Sequence, residues 1–76
     1  MRARLLSALA TCEEHVAQNE QNIADQEVRV TELEAAGEAA SLSKSMLKTF
    51  QQLRQSHLTR RGTILRDLAV LTTSES

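Results

Sequence analysis

The sequence predicts an all-α protein: an antiparallel two-helix hairpin with coiled-coil-like packing that dimerises into a four-helix bundle. Three observations carry that expectation. The 76 residues include no proline, tryptophan or tyrosine and only two glycines, and Ala, Leu, Glu, Gln and Arg dominate; these five are strong helix formers. In the first half, seam residues recur at alternating intervals of four and three, the spacing that keeps one stripe on one side of a helix. Near the middle a glycine and several serines interrupt the pattern, and an interruption of about five residues suits antiparallel neighbours.

The first helix is expected over about residues 3–36. Its seam is Leu5, Leu9, Cys12, Val16, Asn19, Ile23, Gln26, Val30 and Leu33. Leu9, Val16, Ile23 and Val30 take the a positions of the heptad, and the other five take d. Two more columns repeat every seven residues. Ala3, Ala10, Ala17 and Ala24 form a small-residue column expected beside the seam, and Glu13, Glu20, Glu27 and Glu34 an acidic column on its other side.

The stretch "EAAGEAASLSKS" breaks the repeat. Gly37 suits the left-handed conformation that ends helices, and Ser41 or Ser43 suits the cap of the next one. The turn is therefore placed at about 37–41 and the second helix at about 42–71. The apolar arc of that helix takes in Met46, Leu47, Phe50, Leu53, Leu58, Ile64, Leu65, Leu68 and Leu71. It is wider than a coiled-coil seam, which points to contact with more than one helix. Gly62 sits inside it at a cost of about 1 kcal/mol relative to alanine. The last residues, 72–76, are expected to fray.

One domain of this size supplies only about 3–5 kcal/mol from its core. A single cysteine allows no internal disulfide, and no CxxC, HxxxH or HExxH spacing offers a metal. Oligomerisation remains, so a homodimer is expected. A lone hairpin with helices about 45–50 Å long would leave the alanine column and the wide second arc wet, whereas two hairpins cover both.

Charge is uneven along the chain. Residues 2–36 carry three arginines against seven carboxylates, and residues 44–71 carry six basic side chains against Asp67 alone. An acidic helix folded against a basic one invites pairing. With the turn centred near residue 40, Glu27 would lie opposite Arg54 and Glu20 opposite Arg61. Both arginines are then expected to border the seam, laying their stems over apolar neighbours and holding a carboxylate through the planar guanidinium fork.

His57 shares a seven-residue column with Phe50, Ile64 and Leu71. The leading reading is a structural histidine that meets Gln26, Glu20 or a backbone carbonyl, since polar seam residues set register and oligomer state. A pH switch through its imidazole is the next alternative. A metal ligand ranks below, because no second ligand stands at a metal-binding spacing. Arg54 occupies the place three before His57 where a di-iron site would need glutamate. Cys12 reads as a small buried hydrophobe, with an intersubunit disulfide as a minor alternative. His15 is expected to face solvent, and no third group completes a nucleophilic pair with Cys12. No cofactor and no catalytic residue is expected.

The N-terminal "MRARLLSALATC" loosely imitates a lipoprotein signal, but its apolar run of six residues is short of the usual h-region of about 7–15. No stretch approaches the roughly 20 apolar residues of a membrane span. A cytoplasmic protein without membrane attachment is expected.

The pattern His15, Val16, Ala17, Glu20, Ile23 and Gln26, followed by Leu33, Glu34 and Gly37 and then Leu47, Phe50, His57 and Arg61, resembles a set of very short helical-hairpin proteins of rhizobia and other alphaproteobacteria. The resemblance covers about residues 13–68. It implies the hairpin, implies no activity, and implies that Glu20, Gln26, His57 and Arg61 belong together. The chain departs from the family pattern after the glycine, where "EAAS" stands in place of an Asp-Thr pair.

The functional expectation is a non-enzymatic, self-associating module that docks a helix of a partner protein. The runner-up is a small regulatory or nucleic-acid-binding protein using the basic second helix. Nucleic acid is disfavoured because the acidic first helix matches those cations in number and no aromatic stacking surface or helix-turn-helix spacing is present.

Overall fold

A computed structural model describes the backbone of residues 1–75 and the side chains of residues 1–73. Two helices, α1 (Arg2–Ala35) and α2 (Ser41–Glu75), pack against each other along their length as a hairpin. The molecule is a rod of 61 × 14 × 13 Å.

The end of α1 follows from Gly37. Its φ of 71° lies in the left-handed region that only glycine enters cheaply. That conformation lets the Glu38 amide reach the Leu33 carbonyl at 2.9 Å and the Gly37 amide reach Glu34 at 3.1 Å. The two bonds make a Schellman closure, which satisfies carbonyls that the helix end would otherwise leave bare. α2 then begins one residue earlier than the serines suggest. The Lys44 amide bonds to the Ala40 carbonyl at 2.9 Å, so Ala40 takes the capping position, and Ser43 is buried in the seam instead. The connection is residues 36–40, against the expected 37–41.

At the other end α2 runs through Glu75, past the expected stop near residue 71. No glycine or proline interrupts it there. The hydroxyls of Thr72 and Thr73 bond to the Leu68 and Ala69 carbonyls at 3.0 Å each, the local pattern that threonine makes inside helices. Of the tail expected to fray, Ser76 lies outside the described residues.

All nine seam positions of α1 are buried or half-buried. Cys12, Val16, Asn19 and Ile23 are the most enclosed, and Leu5, Leu9, Gln26, Val30 and Leu33 are partly covered. The alanine column is not beside the seam. Ala3, Ala10, Ala17 and Ala24 are all exposed, because a residue one after an a position is turned about 100° from it. The glutamate column lies between them and the seam.

The facing seam of α2 also follows a 3-4 spacing: Ala40, Ser43, Leu47, Phe50, Arg54, His57, Arg61, Ile64, Leu68 and Leu71. Ala40, Ser43 and Ile64 are buried, the others are half-buried, and Arg54 is exposed. Arg54 and Arg61 therefore stand in a seam column, in line with Leu47 and Leu68, rather than outside it. Ile64, 6% exposed, contributes roughly 1.5–3 kcal/mol by burial. Leu58 is half-buried, while Leu53, Leu65 and Met46 remain exposed.

Candidate functional site

The middle third of the rod holds its polar chemistry, and the heptad repeats it twice. In one repeat the Cys12 thiol donates to the His57 carbonyl at 3.3 Å, and Glu13 lies 3.7 Å from Arg61 Nε. One heptad on, the Asn19 amide donates to the Phe50 carbonyl at 3.1 Å, and Glu20 lies 3.8 Å from Arg54 Nε. Each α1 residue has moved up by seven and each α2 residue down by seven, as an antiparallel heptad pair requires.

These pairs correct the expected register. Arg54 meets Glu20 rather than Glu27, and Arg61 meets Glu13 rather than Glu20. The connection is centred at residue 38, not 40, and along the middle of the rod residues whose numbers add to about 72 lie level, as His15 and His57 do. Helical side chains lean toward their own N-terminus. Glu20 and Arg54 therefore lean toward each other, while Glu27 stands about nine residues, or roughly 13 Å, further along the rod than Arg54. Glu27 makes no ion pair among the described residues. A third pair, Lys44 with Glu34 at 3.3 Å, straddles the connection.

The ion pairs approach through one guanidinium nitrogen, Nε, at distances beyond hydrogen-bond length, not through the two-pronged fork expected from the sequence. All are substantially exposed, so each contributes about 0.2–1 kcal/mol at most. Arg61 Nε is shielded from solvent without a hydrogen-bond partner, which lowers the return further.

Glu20, Gln26, His57 and Arg61 do not converge. Glu20 belongs to Arg54 and Arg61 to Glu13, and His57 stacks obliquely on His15 with ring centroids 5.5 Å apart. Gln26 lies in the seam well toward the connection, with its Oε1 unpaired. His15, expected to face water, is exposed yet forms one wall of a shallow groove with His57, Phe50, Leu53 and Asn19. Asn19 and Ser43 are the buried polar residues of the chain's described portion. The signal for Asn19 was its d position; Ser43 carried none, because it reads equally well as a cap.

Among the described residues no group of three or more His, Cys, Asp or Glu side chains is placed to hold a metal ion. None of the described helices is long and apolar enough to cross a membrane. Of the six cations between residues 44 and 71, three are engaged by carboxylates of α1. The architecture defines a helical hairpin with a polar-centred, coiled-coil-like seam. No protein-family model matches the chain, and neither a curated protein nor a solved structure matches it.

Proposed function

We propose that the chain is a non-enzymatic interaction module that self-associates into a four-helix bundle and offers the assembled surface to a partner protein. The carrying observation is the surface it leaves uncovered. The hairpin exposes 5631 Å², where a folded monomer of 8.4 kDa is expected to expose about 4,600 Å². Its radius of gyration is 17.5 Å, against about 11 Å for a compact chain of this length. The excess of about 1,000 Å² is close to one partner's share of a standard protein interface. Among the described residues no large side chain is fully buried, while Met46 and Leu53 stand exposed on one side of the seam and Leu6 and Leu65 on the other. A single seam cannot cover them, and a second hairpin supplies the missing layer on one of those sides.

Sedimentation equilibrium at micromolar concentration tests the proposal. The expected result is a dimer mass of twice 8.4 kDa that dissociates on dilution. A folded monomer throughout that range refutes it.

A further inference from the structure

Each hairpin has two flanks along its seam, and they differ in chemistry. One carries Glu13, Glu20, Glu27 and Glu34 from α1, with Lys44, Leu58 and Leu65 from α2. Closing a second copy over it would bury three exposed ion pairs of each chain and its Glu27, which has no ion pair among the described residues, and desolvating those charges is costly. The other flank presents Ala8, His15, Asn22 and Arg29 from α1. Beside them run Met46, Leu53, Arg60 and Asp67 from α2. It holds the His15–His57 groove and a second, largely apolar groove at the open end, where Asp67 lies beside Met1, Arg4, Leu5 and Leu71.

Resting on the self-association proposed above, we infer that the second flank is the dimer surface and that the two rods lie antiparallel across it. The argument is charge complementarity. Arg29 and Asp67 point to the same flank but stand about 24 residues apart along the rod, roughly 36 Å. Neither has an ion-pair partner among the described residues. In a parallel dimer the two-fold axis runs along the rods, so Arg29 and Asp67 never share a height. Asp67 then has only Arg4, which lines the same groove, and Arg29 only Asp25 and Glu32 of its own helix, one turn away. Turning the second copy end for end about the rod's midpoint, near residue 17, brings Arg29 of each copy to the height of Asp67 of the other. The same operation sets Arg60 level with Asn22, Met46 level with Ala8, and Leu53 level with His15.

These four matches come together because both columns repeat every seven residues. They place a cation by an anion, a donor by an amide, a long side chain by a short one, and a leucine by the imidazole groove. Sliding by one heptad in the direction that retains three matches sets Arg60 against Arg29, and like charges oppose it. The opposite slide strands Met46 and Arg29 at the ends. At the axis the two Leu53 side chains stand about four residues, or roughly 6 Å, apart in height, close enough to pack.

The test has two arms. A nitroxide on Glu38→Cys in a Cys12→Ala background marks the turn, and pulsed dipolar spectroscopy reads the separation in the dimer. The antiparallel arrangement gives a distance near the 61 Å length of the rod. A parallel one gives less than about 25 Å, set by adjacent helix spacings of 8–10 Å plus the labels, and overturns the inference. The second arm keeps Cys12. Arg29→Glu and Asp67→Lys each weaken dimerisation about tenfold, as two interfacial pairs per dimer are turned repulsive, and the double exchange restores it to within about twofold. Additive loss in the double variant overturns the inference. A dimer with a short label distance leaves self-association standing and removes only this arrangement, whereas a monomer removes both.

Discussion

Asn19→Leu is the substitution that most directly probes the polar centre of the seam. Asn19 is 4% exposed. It makes one hydrogen bond, to the Phe50 carbonyl at 3.1 Å, and its Oδ1 is buried without a partner. Removing the unpaired acceptor should recover about 1–3 kcal/mol, and losing the bond to Phe50 should cost about 0.5–1.5 kcal/mol. The Phe50 carbonyl keeps its own helix bond, so the substitution orphans no backbone group. Leucine at a d position between Ile23 and Cys12 adds apolar burial, offset by the extra volume it must fit. The net expectation is a gain of about 2 kcal/mol, or roughly 8–16 °C in Tm for a chain of this size. Thermal melts at matched protein concentration measure it, since association shifts Tm by mass action. The gain should come with a wider range of assembly states in sedimentation, because a buried asparagine specifies register and oligomer state. A variant that melts below the wild type would refute the reasoning, showing that Oδ1 is satisfied and Asn19 stabilises the pairing.

The two glycines should respond with opposite signs. Gly37→Ala should destabilise by about 1–2 kcal/mol, since the backbone stands at φ 71° and no atom lies within 4 Å of the added Cβ, leaving conformation as the whole cost. Gly62→Ala, equally uncrowded and inside α2, should stabilise by up to about 1 kcal/mol; urea melts of both separate backbone strain from packing. A double-mutant cycle with Glu20→Gln and Arg54→Gln should return a coupling of about 0.2–1 kcal/mol that vanishes in about 1 M salt. The corresponding cycle between Glu27 and Arg54 should return none, and a reversal of those two results would restore the register expected from the sequence.

The helices and the α1 seam were legible because period and composition agree there. Nine positions at alternating fours and threes, with leucine, valine and isoleucine at most of them, admit one face. Gly37 was legible for a different reason: only glycine accepts the left-handed backbone that closes α1, and its place after a long periodic run leaves little choice. The α2 seam was harder to read. One of its columns runs Ala40, Leu47, Arg54, Arg61 and Leu68, and two arginines in the middle of a column look like a border rather than a seam. Arginine can stand there because its stem covers apolar surface while its guanidinium reaches the edge. The alanine column misled through spacing alone, since a perfect seven-residue repeat says nothing about which way it faces.

The register error is the most instructive, because its size was set by the sequence's own regularity. Glutamates at 13, 20 and 27 and arginines at 54 and 61 repeat with one period, so sliding the helices by seven residues exchanges one set of plausible pairs for another. Surface ion pairs worth less than about 1 kcal/mol each cannot arbitrate between such registers. What arbitrates is the short connection. Gly37 fixes where α1 stops, the Ala40 carbonyl fixes where α2 starts, and five residues permit no slack of a full heptad. A displacement of about two residues in the assumed turn centre was enough to round the pairing to the wrong repeat. The donors Cys12 and Asn19 find backbone carbonyls at His57 and Phe50, and because both pairs of positions are themselves one heptad apart, these bonds follow the register as the ion pairs do. In this hairpin the turn selects the register, and the polar seam bonds and the ion pairs follow it.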